Sequence, residues 1–120
     1  MGLTSQGRTV IRGDSATLAI SLADPDTGAA FDPTGHVLTF TAKYRKADRS
    51  AAIEKDSDDG LTVTDAAAGR IALELAPADT NCIPAYSFLV FDVQAQHLTT
   101  GAVKTVALGG LKISADVTRG

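Results

Sequence analysis

His36, His97 and Cys82 are the residues of this chain best suited by type to hold a soft metal or move a proton. Their spacing argues against both uses. The histidines have neither the HExxH pattern nor the one-turn separation that would set two imidazoles on a helix face. Cys82 sits in Asn81-Cys82-Ile83-Pro84 with no cation beside it to stabilise a thiolate. The expectation is two rim or loop histidines and a small buried thiol.

The acidic run Asp56-Ser57-Asp58-Asp59-Gly60 invites a calcium reading. Aligning Gly60 with the glycine of an EF-hand loop puts Lys55 and Ser57 where the first and third ligands belong, and the pattern fails. A looser all-loop calcium site is the alternative; a solvated hairpin turn is the expectation. No serine stands in a nucleophile elbow, and no carboxylate pair is expected on a common face. Arg12-Gly13-Asp14 spells an integrin-binding tripeptide, yet it is better read as a turn in which Gly13 supplies a bulge or a positive φ. Neither an enzyme, a cofactor nor a metal centre is expected.

Charge narrows the partners. Eleven Lys and Arg against fourteen Asp and Glu give a net charge of −3, with the cations spread along the chain. Phosphate recognition needs clustered cations, so neither nucleic acid nor an anionic membrane is an expected partner. The N-terminus lacks a charged segment followed by an apolar run, and no signal peptide is expected. With a single cysteine, no intramolecular disulfide can form.

The elements that must position these residues are strands. Leu18, Ile20 and Leu22 alternate with small or polar residues, as do Leu38, Phe40, Ala42 and Tyr44, and Ile71, Leu73 and Leu75. Tyr86 to Gln96 predicts a longer central strand, covered on both faces at its start and running out to the rim at its polar end. Further short strands are expected at residues 9–12, 52–55, 61–64, 102–108 and 111–117, for about eight or nine in all. Asp-, Gly- and Pro-rich clusters separate them at intervals of about ten residues. Only Glu54 and Glu74 are Glu among the acids, and the Asp excess belongs to turns and caps. At 120 residues this is one domain, 1–120, an all-β sandwich. Pro77 to Asn81 predicts one helical turn bridging two sheets, with Asp79 near its start. Tyr86, just beyond it, is expected to act as a tyrosine corner.

Several pieces in order resemble one family. They are Val10-Ile11-Arg12-Gly13-Asp14-Ser15; Phe31-Asp32-Pro33-Thr34-Gly35 leading into Val37 to Lys43; Gly60 to Asp65; Gly69-Arg70-Ile71; Leu75-Ala76-Pro77-Ala78-Asp79-Thr80; Tyr86 to Val93; and Gly110 to Thr118. The set resembles the immunoglobulin-like domain at the N-terminus of tailed-phage baseplate upper proteins, and small stand-alone phage and prophage proteins built on it. It departs from the pattern at Ile83-Pro84-Ala85 and at Gln94 to Thr100. Baseplate members continue into a longer C-terminal region, so here the sandwich is expected to act alone. The resemblance implies an immunoglobulin-like antiparallel β-sandwich of about seven to nine strands, with Gly13, Asp14, Gly35, Asp79 and Tyr86 in structural roles. It also implies a non-enzymatic virion protein, made in the bacterial cytoplasm, that contacts other phage proteins and forms a homo-oligomer in the particle. A tail, baseplate or fibre-attachment role leads, with capsid decoration as the alternative. Loop candidates for partner contact are Arg45, Lys46 and Arg49, and Phe31 in the 24–35 loop. A third reading is a glycan-binding module; Phe31 is the one aromatic in a predicted loop, and its exposure would decide that reading.

Overall fold

The computed structural model describes residues 5–45, 50–57, 59–81, 83–84 and 86–114. Eight strands and one short helix follow in order: β1 (Ser5–Ile11), β2 (Ala16–Ser21), β3 (His36–Lys43), β4 (Ile53–Asp56), β5 (Leu61–Asp65), β6 (Arg70–Leu75), α1 (Pro77–Asn81), β7 (Phe88–His97) and β8 (Val103–Ser114). They form a five-stranded sheet, β1-β8-β7-β3-β4, and a three-stranded sheet, β2-β6-β5. This is the expected all-β sandwich. With strands lettered in chain order, its layers follow the B-E-D and G-F-C-C′ order of immunoglobulin-type sandwiches. The antiparallel expectation needs one correction, because β1 runs parallel to β8, from Ser5 opposite Leu108 to Ile11 opposite Ser114.

The alternation read from the sequence is what puts the core between the sheets. Leu38, Phe40 and Ala42 of β3 and Leu89, Phe91, Val93 and Ala95 of β7 point inward, against Ile20, Leu61, Ile71, Leu73 and Leu75 of the smaller sheet. Phe40 and Phe91 sit together at the centre, ring centroids 5.1 Å apart. Full burial of each such side chain is worth roughly 1.5–3 kcal/mol.

Two strand expectations are corrected. Residues 102–108 and 111–117 were expected as separate strands on either side of Gly109-Gly110, but β8 runs unbroken through both glycines. They are there for close approach. A Cβ on Gly109 would enter the backbone of Gln6 on β1, and one on Gly110 would enter the ring of Phe88. The second correction concerns β7, which begins at Phe88 rather than Tyr86 and, still paired with β3 and β8 through its polar half, keeps Val93 and Ala95 buried on its inner face rather than running out to the rim. A register shift at Val93/Gln94 places both Val106 and Ala107 in the core, which is why that stretch of the sequence alternates poorly.

The free edge of β2 is sealed by side chains of β1. Gln6 Nε2 donates to the Ser21 carbonyl at 2.8 Å while the Ser21 N–H donates to Gln6 Oε1 at 3.1 Å, and Arg8 donates to the Ala19 carbonyl through Nε at 3.0 Å and Nη2 at 2.6 Å. These bonds occupy the Ser21 N–H and the Ser21 and Ala19 carbonyls, which hinders pairing of another strand along that part of the edge. Arg8→Ala is therefore expected to cost about 1–2 kcal/mol and to raise self-association, measured by urea unfolding and by sedimentation at rising concentration. Unchanged values in both would show the seal to be idle.

α1 joins the two layers, as expected, and is pinned on three sides. Asp79 reaches back to accept the Ala76 N–H at 2.6 Å and pairs with Lys55 of β4 at 3.1 Å. Thr80, fully buried, accepts the Gly13 N–H at 2.8 Å through its hydroxyl. Arg12 Nε donates to the Asn81 carbonyl at 3.3 Å.

Candidate binding face

A sheet covered on one side presents every second side chain of each strand on the other. On the outer face of the five-stranded sheet the pairing register fixes which residues line up. One cross-strand row holds Val37, Gln96 and Val103; the next holds Asp56, Thr39, Gln94 and Thr105; the third holds Glu54, Thr41, Asp92 and Leu108. Then come Lys43, Val90, Gly110 and Gly7, and finally Phe88, Lys112 and Thr9. The middle rows are rich in hydroxyl and amide groups. They frame a shallow concavity of about 420 Å³ lined by Thr41, Glu54, Val90, Asp92, Gln94 and Thr105 among others. One row beyond this lining, past Val90, stands Phe88, 60% exposed, with its ring against Gly110, the register partner of Val90.

Phe88 is the feature the sequence reading missed. The strand was expected to be covered on both faces at its start, whereas its outer face is open there. Tyr86 also departs from expectation. The residue is 76% exposed, so it does not serve as a tyrosine corner. Its backbone, at φ 65°, donates the N–H to the Ile113 carbonyl at 2.7 Å. The corner is tied by the Thr80–Gly13 bond instead.

Phe31 is half-buried against the core and meets His36 edge-on, with centroids 5.0 Å apart. Packed under its loop, it offers no open stacking face, which removes the glycan reading at that loop. His36 continues the row to His97, its register partner, at 5.0 Å and 90°. The His36 Nδ1 lies 3.0 Å from the Thr34 carbonyl and must carry the proton; the His97 Nδ1 accepts the N–H groups of Thr99 and Thr100 at 3.1 and 3.2 Å. The two imidazoles thus order two loops. Among the described residues no three His, Cys, Asp or Glu side chains gather as metal ligands.

Gly13 takes φ 80° in the 11–14 turn and is buried, while Asp14 is exposed and contributes its backbone N–H to the Ile11 carbonyl. Gly35, at φ 78°, closes a turn in which Asp32 accepts both the N–H and the hydroxyl of Thr34, at 2.9 and 2.6 Å. Arg45 is exposed at the end of β3 and makes its own contacts within the fold. Lys46, Arg49 and Cys82 lie outside the described residues.

Two loop carboxylates are held below the ordinary Asp range. The Asp24 carboxyl is lowered chiefly by the Asp26 N–H, then by Lys104 at 3.3 Å. The Asp32 carboxyl is lowered by the Thr34 hydroxyl and then the Thr34 N–H. A lowered folded-state value means stability that is complete above the unfolded Asp value and is lost as pH falls through the folded one. Asp24→Asn is therefore expected to be destabilising near neutral pH, with its difference from wild type narrowing as pH drops from about 5 to about 2. Unfolding curves across that window check it; a constant difference would contradict it.

Comparison with known proteins finds no family model that matches the chain and no curated protein that matches it.

Proposed function

We propose that this chain is a non-enzymatic structural protein of a tailed-phage virion, a tail, baseplate or fibre-attachment component that acts through protein–protein contacts. The observation that carries the reading is the ordered set of motifs from Val10 to Thr118, whose described part falls on a sandwich with one sheet face uncovered. The Gly13 turn, the Asp32–Gly35 turn and the Asp79 cap sit at its corners as built features. Gln6 and Arg8 cover the Ala19–Ser21 part of the β2 edge, so contact falls to the open face, to the loops around it and to the outer strands β1, β4 and β5. Particle symmetry would repeat such a module around an axis as a homo-oligomer. The reading requires no turnover and no cofactor.

Light scattering of the purified protein, alone and mixed separately with phage tails and with heads, tests it. A defined oligomer and a mass gain with tails are expected. A gain with heads alone would replace the tail assignment with capsid decoration, and a monomer that binds neither would overturn the proposal.

A further inference from the structure

Two concave surfaces with polar linings stand out among the described residues. One, between β2, β6 and the β4–β5 turn, contains Lys55, but that ammonium is already held by Asp79 at 3.1 Å and Asp59 at 3.9 Å. The other is the concavity of the five-stranded sheet, whose side chains are committed differently. Glu54, Gln94 and Thr105 form none of the side-chain hydrogen bonds or ion pairs found among the described residues, and all three project outward.

The chemistry of that surface selects its ligand. Thr41, Gln94 and Thr105 each both donate and accept hydrogen bonds, so they suit a partner with many neutral hydroxyls. Lys43 and Lys112 on this face are outnumbered by Glu54, Asp56 and Asp92, which disfavours phosphate or any other anion. Val90 and Leu108 form only a narrow apolar strip, too little for a greasy ligand, yet enough for the C–H side of a sugar ring. The concavity, about 420 Å³, is of small-molecule size. Phe88 then supplies an exposed aromatic surface one step along β7 from Val90. Its placement is built in, because only a glycine at 110 leaves room for the ring. A peptide strand, in contrast, would need a free sheet edge, which the middle of a face does not offer.

We propose that the outer face of the five-stranded sheet binds a neutral saccharide, its hydroxyls on Thr41, Asp92, Gln94 and Thr105 and one ring stacked on Phe88. This inference stands apart from the virion reading, since the face would bind sugar wherever the module is mounted.

Amide-resolved NMR titration of the full chain with maltohexaose, cellohexaose and chitohexaose, each to about 10 mM, provides the test. At least one is expected to shift resonances confined to β3, β7 and β8. Phe88→Ala is expected to weaken that binding about tenfold, while amide dispersion is kept. Gln94→Ala, at an exposed position, is expected to weaken it several-fold and keeps the test open if the first variant unfolds. No shift with any of the three sugars, or shifts that survive both substitutions, would overturn the proposal.

Discussion

Gly109→Ala is expected to cost the fold about 3 kcal/mol and to loosen β1 first. The added methyl has nowhere to go. On one side it meets the Gln6 carbonyl of β1 and on the other the Phe91 ring, which stands 5.1 Å from Phe40 in the core. Close-packed interiors do not yield at such a point without a backbone shift. The weaker side is β1, held by one parallel ladder and by the Gln6 and Arg8 seals, so β1 moves. Release of β1 exposes Val10 and reopens the β2 edge, which makes the loss cooperative. Gly7 provides the internal control. It lies in the same ladder, opposite Gly110, with a negative φ and open space where a Cβ would stand. Gly7→Ala is expected to be neutral or stabilising by about 0.5 kcal/mol, through the unfolded chain. Urea unfolding with hydrogen exchange on the β1 amides measures both. Equal effects at the two glycines would show that the close approach at Gly109 is not what holds that residue.

That pair also marks where sequence reading ends. The strands whose inner face is made of large apolar residues were legible, because Ile20, Phe40, Leu73 and their neighbours carry the period-2 signal themselves. Gly109-Gly110 reads locally as a break. Its meaning lies in Gln6 and Phe88, which are remote in sequence, and only the three-dimensional pairing brings them close. β7 shows the same limit from another direction. Phe88 looks like a core residue by type, and which face of a central strand is covered depends on what the second sheet reaches. The three-stranded sheet covers the inner face only, so Phe88 stands in solvent. The proposed sugar face was hidden for that reason: Thr41, Asp92 and Gln94 are ordinary outward positions until the register aligns them with Thr105 and the Phe88 ring.

The corner below β7 was half legible. A helical turn with an acidic residue near its start was readable from Pro77 and Asp79, and the tyrosine beyond it drew the corner assignment. Thr80 holds the position instead. It is fully buried, and its hydroxyl is the acceptor for the Gly13 N–H at 2.8 Å, 67 residues away in sequence. Thr80→Val keeps the shape and removes the oxygen, leaving a buried donor without water or partner. The expected loss is about 1–3 kcal/mol, and it should appear as faster exchange of the Gly13 amide together with a lower unfolding midpoint. Thr80→Ser keeps the oxygen and gives up a methyl, so it is expected to cost only about 1 kcal/mol and to leave Gly13 protected. The order of the two variants carries the argument. Packing alone would make serine the worse replacement, whereas a hydrogen bond that ties α1 to the first turn makes valine worse. If serine destabilises more than valine, Thr80 is a packing residue and the tie between the helix and the Gly13 turn must be sought in Arg12 and the Asn81 carbonyl.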